Sequence, residues 1–348
     1  MKRSLLALAA LTAFAGVASA QSSVTLFGVA DVNMRNVKNG SVSVKSLSTD
    51  GIASSRLGFR GVEDLGGGLR AAFWIEGGLS LDTGGGPTSA LGSAANPQTW
   101  QRRSTVSLLG SFGEVRLGRD YTPDFWNHTL FDPFGTNGVG SSINVFASLN
   151  GATTTVRSNN SIGYFLPGGL GGIYGQAMIS AGEGTDVNKH QAFRVGYAAG
   201  PLNVAFAYGK TNIDSANADW KRTTIGGSYK IGVATLMAQY NIGKAGGGAD
   251  NGREYKHWLL GGALPMGAST FKASYVQTDG SGPGWGARDA TQIAVGYQYD
   301  LSKRTALYTN FSRISNDGAA NFQVGPANTV LPLGRDSTGY EFGVRHSF

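Results

Sequence analysis

Val233-Ala-Thr-Leu-Met-Ala-Gln-Tyr-Asn-Ile242 alternates without a break. Ala234, Leu236, Ala238, Tyr240 and Ile242 share one face, and Thr235, Met237, Gln239 and Asn241 share the other. Period two marks a β-strand, and about ten residues is the length a tilted strand needs to cross a bilayer. The pattern recurs. Ile293, Val295, Tyr297 and Tyr299 alternate with Gln292, Ala294, Gly296 and Gln298; Leu202, Val204, Phe206 and Tyr208 alternate with Asn203, Ala205, Ala207 and Gly209.

Connectors alternate as well. Short ones carry turn residues: Glu63-Asp-Leu-Gly-Gly, Gly110-Ser-Phe-Gly, Pro167-Gly-Gly-Leu-Gly, Ala199-Gly-Pro, Lys230-Ile-Gly, Pro265-Met-Gly-Ala and Asp300-Leu-Ser. Between them lie longer polar stretches at 33–52, 78–99, 120–156, 181–190, 211–219, 243–255, 278–288 and 314–337. Seven short turns and eight long loops predict an all-β fold: a 16-stranded antiparallel transmembrane β-barrel with both chain ends on the short-turn side. A cylinder that wide leaves an aqueous channel. Tyr164, Tyr174, Tyr197, Tyr208, Tyr229, Trp258 and Tyr275 fall at strand ends, where an aromatic ring suits the bilayer interface. A soluble β-sandwich also alternates, but the strict short–long rhythm of the connectors argues against it.

The N-terminus predicts export. Lys2 and Arg3 precede an apolar run from Leu5 to Val17, closed by Ala18-Ser19-Ala20. Charged start, short apolar core and small-residue box read as a cleavable signal peptide over residues 1–20, and the apolar core is short for a span of about 20 residues. Residues 21–348 then form one barrel domain. Of 29 basic residues two lie in the leader, so against 22 acidic ones the mature charge is +5, with no charge run to suggest nucleic-acid binding. The 348-residue chain has no cysteine, which excludes disulfides and thiolate metal sites. Beyond the leader no apolar run approaches the roughly 18 residues of a membrane helix. No cofactor is implied. His128, His190, His257 and His346 are scattered without metal-ligand spacing and read as surface residues; the clusters Gly84-Gly-Gly-Pro87 and Gly246-Gly-Gly248 lie in long loops, not at strand-to-helix turns.

Four stretches resemble the general porins of β-proteobacteria, the neisserial and Comamonas-like group. Ser23-Val-Thr-Leu-Phe-Gly-Val-Ala-Asp-Val32 is similar to the group's first strand, and Ser55-Arg-Leu-Gly-Phe-Arg-Gly-Val-Glu-Asp-Leu-Gly-Gly-Gly-Leu-Arg-Ala71 to a strand–turn–strand unit. Phe112-Gly-Glu-Val-Arg-Leu-Gly-Arg-Asp-Tyr-Thr-Pro123 resembles the segment leading into its third loop, and Gly343-Val-Arg-His-Ser-Phe348 its C-terminus. His346 departs from the apolar or aromatic residue common there. The resemblance implies an outer-membrane homotrimer in contact with lipid and lipopolysaccharide, its interface around the first and last strands. It implies a third extracellular loop folded into the barrel, and Phe348 as the assembly signal. In the first strand Val24, Leu26, Gly28 and Ala30 share the outward face, where small residues could admit a neighbour; Phe27 and Val29 lie opposite.

Parity picks the pore wall. Leu57 and Phe59 point out, so Arg56 and Arg60 point in; Val106 and Leu108 point out, so Arg103, Thr105 and Ser107 point in; Ile162 and Tyr164 point out, so Arg157, Asn159 and Ser161 point in. A mid-membrane arginine is costly unless it faces water. Arg56, Arg103 and Arg157 are therefore placed at one level as an anion-attracting constriction, with Arg60, Arg70 and Arg116 as a supporting ladder. The 37-residue stretch 120–156 is far longer than an ordinary connection and carries Asp120, Asp124, Asp132 and the bend Asp132-Pro-Phe-Gly135. The function expected is passive passage of small anionic solutes, with a weakly selective channel as the alternative should loop acids neutralise the arginines. A barrel enzyme or adhesin is the other class, and no local signature unites Ser, His and Asp into a catalytic set.

Overall fold

The computed structural model describes residues 23–86, 100–147, 149–213, 218–325 and 331–348. The proposed leader at 1–20 lies outside them. Four strands come first: β1 (Ser23–Asn39), β2 (Val42–Thr49), β3 (Arg56–Gly66) and β4 (Leu69–Gly78). Next are β5 (Arg103–Gly110), β6 (Gly113–Tyr121), β7 (Arg157–Phe165), β8 (Ile173–Ser180) and β9 (His190–Ala199). Then β10 (Leu202–Asn212), β11 (Asp219–Ile231), β12 (Ala234–Gly246) and β13 (Glu254–Met266) follow. The last are β14 (Ser269–Ser281), β15 (Ala290–Asp300), β16 (Thr305–Asn316) and β17 (Ser337–Ser347).

All seventeen belong to one antiparallel sheet that closes on itself through β1 and β17. The extra strand does not add a stave. β1 pairs with β3 over Ser23–Val29 and with β2 over Val32–Asn39, so β2 and β3 occupy the same place beside β1, one above the other. The barrel therefore has the sixteen staves that the connectors predict. What differs is residues 33–52: instead of a polar loop, β1 runs on to Asn39 and returns after Gly40-Ser41 as β2. Gly40 is the first central residue of this two-residue turn and takes φ +57°, where glycine has no Cβ to clash.

The barrel is inside-out compared with a water-soluble fold. Leu26, Val106, Ile162, Ile225, Leu260 and Ile293 are each at least half exposed, whereas Asn241, Thr278, Gln292 and Ser312 are fully buried. In β12 the even-numbered Leu236 and Tyr240 are exposed and the odd-numbered Gln239 and Asn241 are buried, as their alternation predicts. A cylinder with apolar side chains outward and amides inward requires hydrocarbon around it and polar contents within it. Tyr164, Tyr197, Tyr229 and Tyr275 join the outer face. Tyr174 does not: its hydroxyl bonds Asn203 Oδ1 at 2.6 Å and Arg194 lies over its ring, on the inner face. Ile173 and Tyr174 are adjacent apolar residues, and there alternation alone gives no parity.

The seam explains Gly28. Its N–H donates to the Phe348 carbonyl at 3.0 Å and its carbonyl accepts from the Phe348 N–H at 3.1 Å. A Cβ at Gly28 would lie 2.3 Å from the Phe348 ring and 2.9 Å from the Arg56 carbonyl oxygen. The space that a small residue leaves at Gly28 is thus filled by the chain's own Phe348 ring. Gly28→Val is expected to cost on the order of 1–3 kcal/mol at the closing seam and to lower the folded fraction, read as heat-modifiable electrophoretic mobility. Wild-type yield of folded barrel would contradict this account of the seam.

Candidate functional site

Between β6 and β7 the chain forms α1 (Pro123–Leu130) and a 3-10 turn, Ser142–Val145. Thr122 caps α1 and Pro123 opens it with the φ a first helical turn needs. This segment is held to inward side chains far around the barrel. Gln239 donates to the His128 and Phe131 carbonyls, Thr278 to the Val145 carbonyl at 2.6 Å, and Gln292 to the Gly140 and Ser141 carbonyls. Glu341 accepts from the Val139 N–H at 3.2 Å. Burial of Asp132 raises its pKa although it accepts from Ser142, Phe134 and Thr136; these bonds pin the bend.

Three histidines correct the surface assignment. His128, His190 and His257 are buried, and the His128 and His257 rings lie 5.3 Å apart; His346 alone is exposed. Their strands and loop bring them to the inner contact between loop and wall. His128 bonds Ser142 Oγ at 2.8 Å, and burial, with Arg222 and His257 nearby, holds its pKa well below the ordinary value. Among the described residues no group of three metal-ligating side chains forms.

Asp124 is also fully buried. Its carboxylate lies 3.6 Å from Arg222 and 3.8 Å from His190 Nε2. Arg222, on β11, further donates to the Thr155 carbonyl and sits 4.4 Å over the Phe146 ring. One inward guanidinium thereby touches the connection at three points.

Opposite stands the basic wall. Arg56, Arg103 and Arg157 are the first residues of β3, β5 and β7, which all run from the long-connection side. A cavity of about 550 Å³ is lined by Arg56, Arg102, Arg103 and Arg116 together with Glu76 and Asp120. A neighbouring one of about 390 Å³ shares Arg56 and Arg102 and adds Arg157. Arg60 lies four residues along β3, over the Phe27 and Trp74 rings, and Arg70 stays exposed at the short-turn end of β4. Asp120 lies in β6, not in the loop, and contacts Arg116 at 2.6 Å and Arg103 at 3.8 Å. Asp124 and Asp132 are on the loop but away from this wall, buried as described above.

Parity missed two participants. Arg102 precedes β5, where alternation has no force; it bonds Glu76 Oε1 at 2.5 Å, and Arg157 Nε donates to its carbonyl at 2.7 Å. Glu76 also faces Arg56 at 3.8 Å, and its position was legible, since Ile75 beside it points the other way. Four guanidiniums thus meet two carboxylates around the larger cavity.

Comparison with known proteins agrees with this architecture. Residues 7–319 match the family model described as Gram-negative porin. Outer membrane porin protein 32 of Delftia acidovorans is 37% identical over the full length of both chains. A major outer membrane protein P.IB of Neisseria meningitidis serogroup B is 26% identical, again over both full lengths. Among solved structures, an anion-selective porin from Comamonas acidovorans superposes with a TM-score of 0.83 at 34% identity, covering 94% of this chain and all of that one. A trimer form of OmpT from Vibrio cholerae shares the fold, with a TM-score of 0.69 at 12% identity over 94% of this chain and 99% of that one. With its closed sixteen-stave barrel and polar interior, the chain belongs to the Gram-negative porins, channels of the outer membrane and not enzymes.

Proposed function

We propose that this porin is an anion-selective trimer, exported by the leader at residues 1–20, in which Arg56, Arg103 and Arg157 with Arg102 form the selective constriction. The observation that carries the reading is the excess of Arg56, Arg102, Arg103 and Arg116 over Glu76 and Asp120 around one cavity, with Arg157 on the neighbouring one. Guanidinium keeps its charge at any accessible pH, and rings of one sign in a narrow passage admit the opposite ion. Arg60, Arg70 and Arg116 extend the basic path. The segment from Thr122 to Val145 serves as the inward-folded third loop, a role supported by its bonds to inward side chains of β12, β14, β15 and β17. The anion-selective relative and the trimeric OmpT form support selectivity and assembly, and the exposed apolar outer face suits lipid, lipopolysaccharide and neighbouring subunits.

A weakly selective channel is the second reading, favoured by the way Asp120 bridges Arg116 and Arg103 and Glu76 bridges Arg56 and Arg102. The reversal potential of purified protein in a planar bilayer under a KCl gradient separates the two. Anion preference is expected, strongest at low salt, because the screening length is about 10 Å at 0.1 M and roughly 3 Å at 1 M. A reversal potential near zero at low salt would favour the second reading, and cation preference would overturn the first.

A further inference from the structure

The larger cavity is not lined as a passage for simple ions would need. Phe27, Trp74, Tyr121, Trp126 and Phe165 face it beside the guanidiniums. Phe27 and Trp74 meet edge to face at 4.9 Å, and the Phe27 ring lies where a side chain at Gly58 would be, 2.4 Å from that missing Cβ. The glycine is what lets a ring lie flat on the inner wall. Arg103 sits 4.6 Å over the Trp74 ring and Arg116 4.0 Å over the Phe165 ring. Apolar rings in a water-filled channel cost hydration free energy, and a halide or sulfate recovers none of it.

Resting on the anion-channel reading above, we infer that this cavity is a binding subsite for aryl carboxylates, planar anions with a ring attached directly to the carboxylate. Arg116 already donates to Glu114 and Asp120, whereas Arg103, one face covered by Trp74 and Nε turned to Thr105, offers a ligand its terminal in-plane N–H groups, the geometry that a carboxylate accepts in a forked pair. An aryl carboxylate is flat, so once its oxygens meet Arg103 and Arg56 its ring continues beside the same aromatic wall. There it packs against Trp74, Phe27 and Phe165 and displaces water from apolar surface. A cavity of about 550 Å³ has room for such a ligand. Acetate has the charge without the ring, and benzyl alcohol has the ring without the charge; each matches half of the site.

The test uses the purified full-length porin in planar bilayers with KCl on both sides. Sodium benzoate, sodium acetate and benzyl alcohol are added in turn, and the concentration that halves the chloride conductance is read for each. Benzoate is expected to act at a roughly tenfold lower concentration than acetate, the size of an aromatic pairing contribution, and benzyl alcohol is expected to have no effect. Trp74→Leu and Phe165→Leu should each bring benzoate towards the acetate value. Equal benzoate and acetate concentrations in the wild type would overturn the inference without any variant. Block by benzyl alcohol as strong as by benzoate, or a benzoate advantage intact in both variants, would overturn it too. The reversal potential of the same channels keeps the two readings apart. Anion preference without a benzoate advantage removes only the subsite, whereas cation preference removes the anion-channel reading beneath it.

Discussion

Replacing Asp124 with alanine is expected to unseat the connection between β6 and β7, raising single-channel conductance and open-channel noise. Asp124 and Arg222 are both fully buried and 3.6 Å apart, with His190 on the other carboxylate oxygen. Removing one partner of a buried pair leaves an uncompensated charge, at a cost of roughly 3–5 kcal/mol. The barrel has its own ladder of strand pairs, so the cost falls on the docking of the loop. Arg222→Met should act in the same direction, because it also releases the Thr155 carbonyl and the Phe146 ring. The double variant Asp124→Asn with Arg222→Met should be milder than either loss of charge alone, since exchanging both members of a buried ion pair for uncharged groups is often close to neutral. Limited proteolysis within residues 122–156 reads the same event without electrophysiology. Wild-type conductance together with wild-type protease resistance in Asp124→Ala would show that the pair does not hold the loop.

The second large effect concerns charge in the passage. Glutamate at both Arg56 and Arg103 would turn four guanidiniums against two carboxylates into two against four around the same cavity. The reversal potential is then expected to change sign at low salt, with the anion-to-cation permeability ratio falling at least about tenfold; each factor of ten corresponds to about 1.4 kcal/mol, less than one charge pair contributes at 4 Å with an effective dielectric of about 20. The effect should fade towards 1 M salt as the screening length shrinks to roughly 3 Å. Neither residue pairs with β17, and both side chains line the cavity, so folded barrels are expected, checked by heat-modifiable mobility. An unchanged reversal potential in folded double-variant channels would move the selective step elsewhere. The most direct candidates are then Arg102 and Arg157, which line the neighbouring cavity.

Both predictions draw on contacts that the chain shows only once folded. Strand parity put Arg56, Arg103 and Arg116 on the inner face. It could not set Arg103 against Asp120 or Arg102 against Glu76, because those meetings cross between strands or involve a residue outside them. The histidines show the same limit. On spacing alone His128, His190 and His257 have nothing to do with one another. Folding buries all three along the contact between loop and wall, with His128 against His257 and His190 against Asp124. Parity put Phe27 on the face opposite Leu26 and Gly28, but it could not show that guanidiniums lie on the Phe27 and Trp74 rings.

By itself the amino-acid order determined the class of fold, the number of staves and which side chains of a strand face water. Each of these follows from a local rule: successive residues of an extended chain point to opposite sides, and turn residues mark where it reverses. Tertiary structure alone decided that β1 runs on to Asn39, that Phe348 fills the space at Gly28, and which inward groups share a cavity. These depend on register between strands and on the path of a long connection, where distances across the barrel are set by the whole closed sheet and by no single segment.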